Sequence, residues 1–174
     1  MKLTKIFCVL IAIFALMGCD RNHTHMKQYA SGHVTLASVR GMTGGCGPGL
    51  REFRRVLPDG KGESGGWRVP EGKVLVVTDV DWQYAHPDHE TAAGTIQVLR
   101  LFLENLAEPP LSKRVFESTI TLNRQGQGGI SEAMTSGFVV SSEARICHNV
   151  FPGPQGPPFG ISHVILRGYL VQDK

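Results

Sequence analysis

The sequence predicts an all-β fold, a single β-sandwich or jelly-roll-like domain of about eight strands. Short runs of alternating or β-branched apolar residues recur from residue 34 to the C-terminus. Clusters of glycine and proline separate these runs, as expected for turns between strands. No repeat of fixed period is visible. Many short strands divided by turn signals are typical of sandwiches and jelly rolls.

Six segments predict strands directly, because apolar side chains alternate along them or because they are continuously apolar and β-branched. Two of the six form a predicted hairpin, since only a short Ser-Ser-Glu segment joins them. In chain order, the six are His33–Arg40, Lys73–Tyr84, Arg114–Asn123, Gly137–Val140, Ala144–Val150 and Ser162–Gln172.

The segment Lys73–Tyr84 carries the clearest strand signal. Its first part is continuously apolar, which predicts a strand buried on both faces. Its second part alternates, so apolar and polar side chains are expected on opposite faces. Val80, Trp82 and Tyr84 are predicted to point inward, and Asp79, Asp81 and Gln83 outward.

Two segments are less clear. In Thr95–Leu106, the leucines at 99, 103 and 106 fit a helical stripe with Ile96, but the leucines at 99, 101 and 103 also alternate as in a strand. We favour a strand, because the neighbouring segments are strands. The apolar residues at 53, 56 and 57 predict a short element whose type the pattern leaves open.

Loops at the ends of a sandwich commonly carry ligands. The long loops predicted here are 41–49, 58–72, 85–94 and 151–161, and Gln125–Gly129 is a predicted turn. Four aromatic residues in or beside these loops either contact a sugar or a partner, or pack in the core: Trp67, Trp82, Tyr84 and Phe159.

The loop Gly60–Gly65 matches the G-x-G-x-x-G pattern of dinucleotide-binding sites. That function requires a helix to begin directly after the turn, with its N-terminus facing the pyrophosphate. Here the next residues include Pro70 and do not open a helix. The match therefore indicates a flexible loop.

The N-terminus has a basic start at Lys2 and Lys5, an apolar core, and then Leu16-Met-Gly-Cys19. The apolar core is shorter than the roughly 20 residues that a membrane span needs. The pattern resembles the lipobox of bacterial lipoprotein signal peptides. This resemblance covers residues 1–20 alone and implies cleavage before Cys19 and acylation of its thiol.

The implied organisation is a helical signal peptide (1–18), a lipidated cysteine with a flexible tether (19–33), and the β-sandwich domain (34–174). Two or three acyl chains would hold the protein to membrane lipid firmly, because each buried CH₂ contributes about 0.8 kcal/mol. In enteric-type bacteria an Asp after the cysteine resembles an inner-membrane retention signal. If Asp20 acts as this retention signal, the protein is expected at the periplasmic face of the inner membrane; otherwise it is expected at the outer membrane.

Four cysteines occur in the chain. On the lipoprotein interpretation, Cys8 leaves with the signal peptide and Cys19 is acylated. The remaining pair, Cys46 and Cys147, is expected to form a disulfide in an exported protein. The alternative is a redox or metal-binding thiol pair, although no C-x-x-C motif supports it.

Because the net charge of the chain without its signal segment is close to zero, we expect no nucleic-acid partner. Without residues 1–18 the chain has 16 basic and 15 acidic residues, a net charge of +1. Nucleic-acid binding requires a clustered basic patch. The one tight basic cluster, Arg51, Arg54 and Arg55, is more readily a solvated face or an approach to anionic lipid headgroups.

Histidines and carboxylates are densest at His86-Pro-Asp88-His89-Glu90. His86, His89 and Glu90 could ligate a metal, with His148 or His163 as a distant further ligand. However, the two histidines lie in a proline-containing loop, unlike the helical H-E-x-x-H motif of zincins. A solvated connection between strands is the simpler interpretation.

The sequence thus predicts a lipid-anchored envelope lipoprotein whose β-sandwich is a binding or structural module, with an envelope protein or a glycan as its partner. The alternative is a metal-dependent hydrolase, or a metal-binding protein, centred on His86, His89 and Glu90. No nucleophile elbow or P-loop motif is present in the sequence. No cofactor is implied, and whether the protein is an enzyme stays open.

Overall fold

The structure, a computed structural model, describes residues 32–38, 45–106, 112–153 and 160–174. Within these ranges it contains eight strands and one four-residue helix, α1. The elements are β1 (His33–Ser38), β2 (Arg51–Val56), β3 (Lys73–Ala85), α1 (His89–Ala92), β4 (Ile96–Asn105), β5 (Ser112–Thr121), β6 (Gln127–Ser141), β7 (Ala144–Pro152) and β8 (Ile161–Gln172). No helix in these ranges is long and apolar enough to cross a membrane.

The strands follow the spatial order β5-β4-β7-β2-β1-β8-β3-β6. One layer consists of β5, β4, β7 and β2, and the other of β1, β8, β3 and β6. Strand β2 pairs with both β7 and β1, so the layers are continuous there. Across the opposite opening, the Ser118 hydroxyl of β5 donates a hydrogen bond to the Glu132 carboxylate of β6. The predicted β-sandwich is confirmed, and it is nearly closed into a barrel.

The core lies between the two layers and centres on Trp82, whose side chain is fully buried. Its indole N–H donates to Ser118 Oγ at 3.0 Å, which satisfies the ring nitrogen and joins the layers. Trp82 is therefore a core residue and does not contact a ligand at the surface. Other fully or nearly fully buried members of the core are Val34, Leu36, Leu75, Val77, Val80, Leu99, Leu101, Val140, Val164 and Leu166.

Strand β3 differs from the prediction in its first half. Leu75 and Val77 are buried, but Val74 and Val76 are only half-buried on the opposite face. A bulge at Thr78 shifts the alternation by one residue, since the pairing with β8 and β6 slips between Val77 and Asp79. The apolar run thus reflects a partly exposed face and a change of phase. The prediction that this half is buried on both faces was wrong.

The two ambiguous segments are both strands, β4 and β2. In β4, Leu99 and Leu101 are fully buried while Ile96 is 44% exposed and Leu106, just beyond the strand, is 46% exposed. A helical stripe would have buried Ile96 and Leu106 together with Leu99. The segment therefore follows the alternation of a strand, and the favoured prediction is confirmed.

Strand β6 is much longer than the predicted Gly137–Val140, and it begins inside the segment 125–129 predicted as a turn. It is an edge strand that pairs with β3 alone, so many of its residues are exposed and its sequence lacks a clear apolar pattern. The turn itself is shorter. Asn123 Oδ1 accepts hydrogen bonds from the backbone N–H groups of Gln125 and Gln127 at 2.9 and 3.0 Å.

The predicted disulfide between Cys46 and Cys147 is confirmed, with the two Cα atoms 6.0 Å apart. It fastens the loop before β2 onto the outer side of β7. Next to it, the backbone N–H of Gly47 donates to Glu104 Oε1 at 2.9 Å. This loop covers the outer side of the layer that contains β7, and we call the covered region the stapled face.

Ion pairs complete the stapled face. Glu52, which is 6% exposed, has its Oε1 at 3.4 Å from a guanidinium nitrogen of Arg145 and at 3.9 Å from one of Arg68. A Cβ atom on Gly66 would lie 2.0 Å from Glu52 Oε2. The loop that carries Gly66 can therefore lie directly on the carboxylate only because this residue has no side chain.

Candidate functional site

A cavity of about 790 Å³ opens beside β3 and β6. A smaller one of about 280 Å³ extends from it over β8 and β1. Asp81, Gln83 and His163 line both cavities, so we treat them as one site, the groove. The other lining residues are Ala37, Ser38, Tyr84, Ala85, Asn123, Gln127, Gly128, Gly129, Ile130, Ser131, Val164 and Ile165.

The alternation of β3 after its bulge positions the polar side chains of the groove. Asp81 and Gln83 face outward, as the sequence predicted, while Val80, Trp82 and Tyr84 face the core. Cross-strand pairing then adds polar neighbours from both sides: Asp81 pairs with Ser131 of β6, and Gln83 pairs with His163 of β8. Paired residues project to the same face of a sheet, so these four side chains share one surface.

Gly129 of β6 opens the space beside Gln83. A Cβ atom on Gly129 would lie 3.0 Å from Gln83 Cγ and 3.1 Å from the carbonyl oxygen of Trp82, so a side chain here would crowd Gln83 and the strand. A Cβ atom on the neighbouring Gly128 would instead meet Ile120 and Leu122. Gly129 thus leaves bare backbone where a ligand can approach closely.

The loop after β3 closes one end of the groove. The backbone N–H of His86 donates to the carbonyl of Gly126 at 3.0 Å, and Asn123 holds the turn that contains Gly126. Ala85 and Gln127, one residue away on either side of this bond, line the cavity. The rim is therefore tied together by backbone hydrogen bonds.

The groove offers mixed donors and acceptors with little net charge. Asp81 has a cationic neighbour, since its Oδ2 lies 3.5 Å from a guanidinium nitrogen of Arg167. Gln83, Asn123, Gln127, His163 and Ser131 each provide a polar side chain. Amide and hydroxyl groups donate and accept hydrogen bonds equally well, which matches the hydroxyl groups of a sugar chain.

The predicted metal ligands lie just beyond the groove. His86 Nδ1 accepts a hydrogen bond from the backbone N–H of Asp88 at 3.1 Å, and Glu90 is exposed. The Asp88 carboxylate caps α1: it accepts from the Thr91 N–H at 3.3 Å, and hydrogen bonding by Thr91 lowers the pKa of Asp88. The His89 side chain lies outside what the structure describes.

Among the described residues, the one grouping of three side chains close enough to hold a metal ion is Cys46, Glu104 and Cys147. Two of these are joined in the disulfide, so their sulfur atoms are not available as thiolates. The metal site at His86, His89 and Glu90, and with it the hydrolase alternative, stays a prediction.

The two histidines considered as further ligands lie in different environments. His163 lines the groove. His148 is fully buried on β7, against the ring of Phe53, and neither ring nitrogen has a hydrogen-bond partner among the described residues. Burial, and secondarily the charge of Arg51, lower the pKa of His148 to about 3. His148 is therefore neutral at physiological pH.

The described aromatic residues for which the sequence left ligand contact or core packing open lie mostly in the interior. Trp82 is fully buried, Trp67 packs partly against the core, and Tyr84 is 5% exposed at the edge of the groove. Phe159 and Cys19 lie outside the described residues. Sequence reasoning missed the groove because it depends on Ser131 and His163, which come from strands distant in the chain.

The chain is a β-sandwich module. No protein-family model matches it, and no curated protein matches it. Among solved structures it is similar to the one described as the globular domain of zebrafish complement 1qA protein. The two share 12% sequence identity, the match covers 82% of this chain and 98% of that one, and the TM-score is 0.39.

Proposed function

We propose that the protein is a lipid-anchored envelope lipoprotein whose β-sandwich binds a glycan chain in the groove. The observation that carries the binding function is the groove itself, which crosses four neighbouring strands and is lined by amide, hydroxyl, imidazole and carboxylate groups. Such open, polar clefts on a rigid sheet suit an extended ligand with many hydroxyl groups.

The backbone around the groove supports binding without rearrangement. The central strand β3 pairs along its length with both β6 and β8, so the side chains at 81 and 83 sit on a rigid scaffold. Rigid positioning lowers the entropy lost when a ligand binds. The bare backbone at Gly129 gives a sugar ring a place to lie against the strand.

The sequence supports the anchoring part of the proposal. The Leu16-Met-Gly-Cys19 pattern follows a basic and apolar N-terminus, and residues 20–33 are polar and without periodicity. A flexible tether of this length spans on the order of 20 Å between the lipid and the domain. The domain would then reach glycans close to the membrane surface.

Cosedimentation with insoluble peptidoglycan tests the binding function. The double variant Asp81→Asn with Gln83→Ala should lose roughly tenfold or more in affinity, since it changes two of the three residues that line both cavities. The control is Asp79→Asn, an outward carboxylate on the same strand that does not line the groove. Equal cosedimentation of the double variant and the control would contradict glycan binding in the groove.

Membrane fractionation and mass analysis of the intact protein test the anchor separately. Cys19→Ser should leave the precursor unprocessed and without acyl chains. The control Cys8→Ser changes a cysteine in the apolar core of the signal peptide and should be processed and acylated normally. Acyl chains on the Cys19→Ser protein, or none on the natural one, would contradict the lipoprotein assignment without touching the groove.

A further inference from the structure

We infer that the protein has a second, internal site that binds a small carboxylate anion between the two layers of the sandwich. A cavity of about 110 Å³ lies there, lined from one layer by Arg51, Gln97 and Asn149 and from the other by Tyr84 and Ser162. Tyr84 is the one lining residue that it shares with the groove. The cavity is far smaller than the groove and does not fit a glycan chain.

Unpartnered buried polar atoms indicate that something occupies this cavity. Gln97 is only 1% exposed, and neither its Oε1 nor its Nε2 has a hydrogen-bond partner among the described residues. Buried polar groups in folded proteins are almost always hydrogen-bonded, to protein, ordered water or ligand. A ligand with its own polar atoms would satisfy these groups.

The position of Gln97 on β4 also indicates that the cavity has a polar occupant. Gln97 lies on β4 two residues before Leu99, with its side chain on the same inward face as Leu99 and Leu101. An apolar residue at this position would simply extend the core. An amide there is costly unless it is hydrogen-bonded, so its presence points to a polar occupant.

The charge of the cavity favours an anion. Arg51 is the one charged side chain in its lining, and within the described ranges no carboxylate lies within ion-pairing distance of it. The neighbouring His148 is neutral, because its pKa is lowered to about 3. Burial also raises the pKa of Tyr84, so its phenol keeps its proton and can donate a hydrogen bond.

The size and donor set favour a carboxylate over a larger anion. A guanidinium group presents a planar fork that matches the two oxygens of a carboxylate. The phenol of Tyr84, the amide of Gln97 and the hydroxyl of Ser162 supply further donors around it. The volume admits a few waters or a molecule about the size of acetate. The structure therefore points to acetate, formate or a carboxylate of similar size.

Gly160 contributes to the enclosure of the cavity. A Cβ atom at this residue would lie 2.3 Å from Tyr84 Oη, so a side chain would displace the phenol. The glycine lets the chain pass directly over the hydroxyl group while the hydroxyl keeps its position. This contact is a built feature of the cavity lining, since Gly160 and Tyr84 both line it.

Thermal unfolding of the full chain in sodium acetate, against sodium chloride at equal ionic strength, tests the site. A ligand that binds only the folded state raises Tm progressively, because the free energy of unfolding increases with the logarithm of the ligand concentration once that concentration exceeds Kd. We expect a measurable rise by about 100 mM acetate for the natural protein. Arg51→Gln should abolish it. The matched control is Arg54→Gln, an exposed arginine on the same strand, which should respond as the natural protein does.

A second variant tests the site independently, in case Arg51→Gln does not fold. Gln97→Leu keeps the charge of Arg51 and fills similar volume, and it should also lose the acetate response. A water-filled cavity would give no acetate-specific rise in any protein, which would overturn the proposal. An equal rise in the Arg51→Gln protein would also overturn it. If inorganic phosphate gave the same rise as acetate, the carboxylate assignment would be wrong.

Discussion

The two outer faces of the sandwich are built very differently. On the stapled face, a disulfide, a buried carboxylate with two arginines and a backbone bond to Glu104 hold loops against β2 and β7. On the opposite layer, the outer face of β3 carries no such cover at Asp81 and Gln83, and the groove lies there. The disulfide and the buried ion pairs are therefore concentrated on the stapled face, and the face that carries the groove is left open to a ligand.

The same division appears between neighbouring residues of β7. Cys147 faces outward into the disulfide, whereas His148 faces the core and packs against the Phe53 ring at a tilt of 45°. The disulfide of Cys147 stabilises the fold independently of pH under oxidising conditions. His148 lowers the free energy of unfolding in acid, because its imidazole takes up a proton more readily in the unfolded chain than in the folded protein. Substitutions at these two positions and in the groove should therefore have separable effects.

Removal of the disulfide should have the largest effect on stability. The bridge closes a loop with a sequence separation of 101 residues, for which the chain-entropy relation gives about 4–5 kcal/mol. Replacing both cysteines with serine should lower the free energy of unfolding by that order, measured by denaturant titration. A loss below about 1 kcal/mol would show that the loop is held mainly by its ion pairs.

Acid should lower the free energy of unfolding through His148 by an amount comparable to the loss of the disulfide. Its pKa is about 3 in the folded state and near 6.5 when unfolded, so the unfolded state binds the additional proton between these values. The free energy of unfolding should fall by about 4–5 kcal/mol as pH decreases from about 6.5 to about 3, and no further below that. Denaturant titrations across this pH range measure it.

The variant His148→Leu isolates this contribution. It should lack that part of the acid dependence and be nearly as stable as the natural protein at pH 7, because neither ring nitrogen has a partner to lose. The control His163→Gln changes the histidine of the groove and should keep the acid dependence. An unchanged pH profile in His148→Leu would contradict the assignment.

Sequence reasoning found most of the fold. The β-sandwich, the disulfide between Cys46 and Cys147, and the alternation of β3 after Asp79 could all be predicted, because local periodicity and cysteine counting determine them. Strand β6 was found only in part. As an edge strand it has few buried positions, so its sequence gives little periodic signal.

The candidate sites were much less predictable. Asp81 and Gln83 were expected to face outward, but nothing local to them indicates that Ser131 and His163 lie beside them. That juxtaposition comes from strand order, which long-range pairing decides. Trp82 shows the reverse case: its position beside a loop left ligand contact open, but the alternation of β3 predicted that it points inward. Its burial and its hydrogen bond to Ser118 confirm the inward prediction.

The separation of stability from binding is the central claim, and one paired measurement tests it most directly. Peptidoglycan binding per folded molecule and the free energy of unfolding are measured for the disulfide-free protein and for the double variant Asp81→Asn with Gln83→Ala. The Asp81–Arg167 pair is exposed, so its loss should cost less than about 1 kcal/mol. We predict that the groove variant loses binding but keeps stability, and that the disulfide-free protein does the opposite. Loss of binding in both, or in neither, would contradict the account.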